Sequence, residues 1–281
     1  GPGAGQRHGW IPPRPEGPAR TGRLERPPPQ EQAAWNRARR LLITGPAGSG
    51  KTLVLARRAA HALIRGQDVL LLGFNITLWH YIRDFVARAV RTALLKGYAY
   101  TKDERRAMGK EELRRRALRE LGTRFSRAMR RLTITHYHNL AYRMWAAVGG
   151  DKREVSPETI GPKLCRKASA LQDRADDPES GLPKVDALLV DEGQDWGLSW
   201  TQSLHPLLRE DADITVAADP DQRIYPHAVK DPVDLFDKAP SHVRLQGTAR
   251  APEPLLPALN SPAEPWLSAA GPAPQPHSAP Q

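Results

Sequence analysis

Along the middle of the chain, short runs of Leu, Val, Ile and Thr alternate with longer stretches whose apolar residues fall every third or fourth position. The short runs predict strands at Leu41–Thr44, Val69–Gly73, Leu132–Thr135, Ala187–Asp191 and Ile214–Ala218, with a sixth at His242–Leu245. The longer stretches predict helices over Thr52–Arg65 and Thr77–Leu95, the second through Leu78, Ile82, Phe85, Val86, Ala89 and Val90. Leu113, Ala117, Leu121, Phe125 and Leu132 predict a further helix, whose opposite face carries a run of arginines. Strands that alternate with amphipathic helices imply an α/β fold built on a parallel sheet.

This pattern stops at both ends. Residues 1–29 are rich in Pro, Gly and Arg without apolar periodicity, and nine of the thirty-one residues in 251–281 are proline, so both read as disordered tails. The folded unit is expected over 30–250, with a basic helical insertion at about 96–131 and a smaller, polar one at about 149–184. A single cysteine, Cys165, excludes an intrachain disulfide and suits a reducing compartment. No apolar run is long enough to span a bilayer and no leader opens the chain, so a cytoplasmic location is expected.

The net charge of +11 changes the picture because of where it lies. Between Arg83 and Arg131 sixteen Lys and Arg face six Asp and Glu, an excess of ten. Clustered positive charge attracts a polyanion and releases its counterions. The same arginines also suit a solvated helix face, and charge alone does not separate the two readings.

Chemistry enters at Gly45-Pro46-Ala47-Gly48-Ser49-Gly50-Lys51-Thr52, which fits G-x-x-x-x-G-K-[ST] and stands between a predicted strand and a predicted helix. The glycines let successive N–H groups turn toward phosphate oxygens at the positive end of the helix dipole. Lys51 then meets the β- and γ-phosphates of ATP, and the Thr52 hydroxyl is a ligand for Mg²⁺. Asp191 and Glu192 close a second apolar strand and so fall at the carboxyl edge of the same sheet, where open α/β sheets bind ligands. There Asp191 can hold Mg²⁺ while Glu192 orients and deprotonates the attacking water.

Several further blocks, in order, resemble the UvrD/Rep group of superfamily 1 helicases. Asp191-Glu192-Gly193-Gln194-Asp195-Trp196 resembles that family's Asp-Glu-x-Gln-Asp motif, and Ala218-Asp219-Pro220-Asp221-Gln222-Arg223-Ile224-Tyr225 is similar to its Gly-Asp-x-x-Gln-Ser-Ile-Tyr motif. Leu72-Gly73-Phe74-Asn75, Tyr137-His138-Asn139-Leu140 and Arg244-Leu245-Gln246-Gly247-Thr248-Ala249-Arg250 resemble three more, and Pro29-Gln30-Glu31-Gln32-Ala33 resembles the adenine-reading glutamine motif. The resemblance implies a RecA-like P-loop NTPase sheet with small helical insertions. It implies that Gln30 or Gln32 reads adenine, with spacing favouring Gln30, and that Gln222 and Arg250 attend the γ-phosphate. It also implies that Gln194, Asp195 and Tyr225 couple nucleotide state to single-stranded DNA, contacted by Phe74, Asn75 and His138; the charge excess adds Arg114 and Arg115 as contacts to the strand's phosphates.

Two departures stand out. Thr248-Ala249 replace the family's Asn-Tyr before Arg250, and Pro226-His227 follow Tyr225 where the family has Arg-Trp. Nothing after Arg250 resembles the family's second RecA-like domain, so the chain reads as a first motor domain alone. The leading expectation is an ATP-binding motor domain acting on single-stranded DNA. The alternative is an ATP-binding interaction module without translocation, while a generic P-loop kinase or GTPase gives Gln194 and Gln222 no role. Trp145, Trp196 and Trp200 are expected in the core, and His136 and His138 lack the partner spacing of a zinc site.

Overall fold

The computed structural model describes residues 29–73, 79–97 and 109–246. The two tails, Phe74, Asn75 and Arg250 lie outside the described residues. Six strands form one wholly parallel sheet: β1 Arg40–Thr44, β2 Val69–Leu72, β3 Leu132–Thr135, β4 Val185–Val190, β5 Leu208–Ala218 and β6 Ser241–Arg244. Their spatial order is β3-β2-β4-β5-β1-β6. All six are the expected ones, within a residue or two at most ends. The exception is β5, which starts six residues early because Leu208 pairs with Val185 before the register shifts to Ala187 opposite Asp213.

Side chains alternate across the sheet, and both faces are covered, as a parallel sheet requires. Leu41, Ile43, Val69, Leu71, Leu189 and Ala217 face one layer. That layer is made by helices α1 (Pro29–Ala34), α2 (Lys51–Ile64), α3 (Trp79–Lys96) and α4 (Lys110–Arg130). Leu42, Leu70, Leu72, Leu188, Val190 and Val216 face the other. It holds α5 (Tyr137–Ala147), α6 (Pro157–Arg166), α7 (Ala168–Asp176) and α8 (Leu198–Leu204).

Ile160, Leu164, Leu171 and Ala175, from the polar stretch 149–184, join this second core. Trp196, Trp200 and Trp145 are buried in it, as expected. Leu132, claimed both by the strand run 132–135 and by helical spacing from Leu121 and Phe125, opens β3 and pairs with Val69. Sheet pairing outweighed local periodicity there.

The strand order positions the site. The helix after β1 leaves to one face of the sheet and the helix after β4 to the other, so a crevice opens at the carboxyl edge around β5. The phosphate loop, Asp191 and Asp219 follow β1, β4 and β5 respectively, three neighbouring strands.

Candidate functional site

Between β1 and α2 the chain reverses over a loop that only glycine permits at several points. Gly48 and Gly50 adopt φ of 73° and 90°, left-handed values that a Cβ resists. Gly45 is required by space: a Cβ there would stand 2.8 Å from both Leu245 O and Ser49 Oγ. Lys51 is buried beneath the loop, and its Nζ donates to Gly45 O at 2.7 Å and Pro46 O at 3.1 Å. The same ammonium lies 3.9 Å from Asp219 Oδ2. Gln30, on α1, reaches the loop from the side, its Nε2 donating to Ser49 O at 3.2 Å. A cation beneath a glycine loop at the start of a 14-residue helix suits a phosphate chain.

Asp191 is almost fully buried and divides its two oxygens. Oδ2 accepts the Thr52 hydroxyl at 2.9 Å, and Oδ1 accepts the Glu192 N–H at 3.1 Å. Burial, reinforced by the neighbouring Glu192 charge, pushes the Asp191 carboxyl up to about 6. An ion pair with a divalent cation would relieve that cost. The donor set of one hydroxyl and one carboxylate fits Mg²⁺, which prefers oxygen ligands and keeps several waters.

Glu192 has φ 55° and is the one non-glycine residue with positive φ among the described residues. Such a conformation costs on the order of 1 kcal/mol or more and persists only when its surroundings impose it. Here a side-chain clamp does so. Gln194 Nε2 donates to Glu192 Oε2 at 2.8 Å, while Gln194 Oε1 accepts the Asp219 N–H at 2.9 Å. One buried amide thus joins the ends of β4 and β5. Asp195 Oδ1 accepts the Ile224 N–H at 3.1 Å, tying the same turn to the segment beyond β5. Burial raises the Asp195 carboxyl above its usual range, and the Ile224 N–H partly offsets this.

Residues 30–228, well over half of the chain, match the family profile of the AAA domain. The chain belongs to that family. No curated protein matches it. This AAA domain is therefore a P-loop nucleotide-binding domain of helicase-like type, on the α/β sheet expected of one.

Within the AAA domain, Gln30, the phosphate loop, Lys51, Thr52, Asp191, Glu192, Gln194 and Asp195 converge at the carboxyl edge. Gln222 lies on the exposed turn Pro220–Gln222, its backbone N–H donating to Asp219 O at 3.0 Å. Tyr225 is partly exposed nearby, its ring 5.4 Å from that of His227.

His138, in the first turn of α5, is half-buried and packs edge-on against Trp200 at 4.8 Å. Burial lowers its basicity, and its buried Nε2 has no hydrogen-bond partner among the described residues. Arg114 and Arg115 are exposed on α4, where Arg115 pairs with Glu111 one turn away at 3.6 Å. Sequence reasoning missed Asp219 and Gly193. Asp219 ends an apolar strand just as Asp191 does, and that shared position was the available signal. Gly193 is set by contact with Val216, which no local pattern reveals.

Proposed function

We propose that this AAA domain is an ATP-binding motor domain of the UvrD/Rep type, which couples ATP hydrolysis to movement along single-stranded DNA. Lys51 and the loop N–H groups hold the phosphates; Thr52 and Asp191 would hold Mg²⁺, which supplies charge neutralisation at the phosphates when bound. Glu192 takes the proton of the attacking water, and Gln222 and Arg250 attend the γ-phosphate. A cytoplasmic setting accords with this reading.

The observation that carries it is the tether from Glu192 through Gln194 to Asp219, continued by Asp195 to Ile224. Such a tether serves a motor, because any shift of Glu192 on nucleotide binding must then displace Ile224 and Tyr225 at the exposed edge. Ile224 is 76% exposed there.

Linkage provides the test. Affinity for a labelled oligo-dT strand is measured with and without Mg-ATP, in a Glu192→Gln background that halts turnover. ATP should change strand affinity by about fivefold or more, and the strand should change ATP affinity by the same factor. Gln194→Ala should abolish this coupling while both ligands still bind. Tight ATP binding with no strand binding, or with strand binding indifferent to ATP, would favour the interaction module instead.

A further inference from the structure

Helix α3 has two faces of quite different character. Ile82, Val86, Val90 and Leu94 are buried against the sheet layer. On the outer side, Tyr81 is 65% exposed and Phe85 39% exposed, with Arg88, Thr92 and Leu95 continuing along the same flank. At 3.6 residues per turn these five positions fall within a stripe about 80° wide. Surface apolar residues scattered singly are ordinary, whereas neighbouring ones on a solvent-facing stripe mark an interaction site.

We infer that Tyr81 and Phe85 form a two-rung stacking ladder for the bases of a single DNA strand, with Arg88 holding its phosphate backbone. This rests on the single-strand reading above and assigns it a place. Three observations favour a strand over a protein partner. The stripe sets two adjacent rings beside a guanidinium, the combination that binds single strands without reading sequence. It opens the stretch Arg83–Arg131, with its excess of ten positive charges, which a polyanion complements. α4 packs beside α3 on this side of the sheet, and the guanidinium of Arg91 spans the two helices, lying 4.6 Å from the Phe125 ring centre.

The spacing fixes how the strand is held. Rings four residues apart on a helix stand about 6 Å apart along its axis, against about 3.4 Å per nucleotide in a stacked strand. The bases must therefore be splayed, each on its own ring. That geometry is open to any base and favours flexible pyrimidine runs. The arginines of α4 contribute less per residue than their number suggests, because Arg115 and Arg124 are already paired with Glu111 and Glu120.

The test is oligo-dT binding by fluorescence anisotropy, over a range of salt, on the whole chain. A double variant, Tyr81→Leu with Phe85→Leu, keeps apolar side chains of good helix propensity but removes both π-faces. It should bind about thirtyfold more weakly, with an unchanged salt slope. Tyr81→Phe keeps the ring and should bind as the parent does, whereas Arg88→Ala should lower the salt slope by about one. An unaltered thermal midpoint in all variants confirms that only the surface has changed.

If the parent binds the strand and the double Leu variant binds within about twofold of it, the ladder is wrong and the single-strand reading survives. If the parent binds no strand, both fall together. If sedimentation shows a parent dimer that the double Leu variant dissociates, the stripe is a self-association face and the inference is overturned.

Discussion

Replacing Gly193 by Ala isolates the link between packing and catalysis in this AAA domain. The residue lies in the buried turn Gly193–Asp195, and a Cβ there would come within 2.3 Å of Val216 Cγ1 and 3.3 Å of Ala217 O. Val216 cannot retreat. It is fully buried in β5, in register with Leu42 on one side and Val190 on the other, and a β-branched side chain has few rotamers to offer. The turn must instead lift by about an ångström to reach ordinary contact. Overpacking of this size costs about 1–3 kcal/mol, offset by about 0.4–1 kcal/mol from the stiffer unfolded chain.

A net loss of about 1–2 kcal/mol in urea unfolding is expected. Because the lifted turn carries Gln194 and Glu192, hydrolysis should fall more than stability does. A double-mutant cycle makes the reasoning strict. Val216→Ala alone should cost about 2 kcal/mol through the cavity it leaves, and in that background Gly193→Ala should be nearly neutral. The coupling should equal the clash. Equal costs of Gly193→Ala in both backgrounds, or a neutral effect in the parent, would refute the argument.

Lys51→Ala removes the buried ammonium from beneath the loop and should weaken Mg-ATP binding by about two orders of magnitude or more; calorimetry showing parental affinity would end the phosphate-loop assignment. Glu192→Gln keeps the shape and loses the base, so ATP binding should survive while any hydrolysis drops by about 10²–10⁴, and equal loss of binding would make Glu192 structural or a metal ligand.

Asp191→Asn tests the buried carboxyl, whose folded pKa of about 6 exceeds its ordinary 3.8. The folded state then binds the proton more tightly, so charged Asp191 destabilises the metal-free fold above about pH 6, and the penalty disappears as pH falls toward 4. The Asn variant should be more stable than the parent by on the order of 3 kcal/mol at pH 7.5, with the gap closing between pH 6 and 4. A gap independent of pH in matched urea melts would contradict this.

The six strands and helices α2, α3 and α4 were legible in the sequence because each is encoded locally, whereas α1 and α5–α8 were not. Runs such as Leu41–Thr44 and Val69–Leu72 must be strands buried on both faces. The glycines of 45–50 cannot form a helix or strand with φ of 73° and 90°. Lys51 and Thr52, Asp191 and Glu192 were recognisable as chemistry because each pair adjoins such an element. Gln194 and Asp195 followed from the resemblance their turn carries.

What the sequence left open is which ends meet. Nothing local says that β5 lies between β1 and β4, yet that order alone brings Asp219 to 3.9 Å from Lys51 and its N–H onto Gln194. Nor does local sequence place Glu192 at φ 55° or need Gly193 for the sake of Val216. These are outcomes of pairing and packing between residues far apart in the chain. A residue's own neighbours set its secondary structure cheaply, whereas contact across the sheet is decided only when the whole core closes.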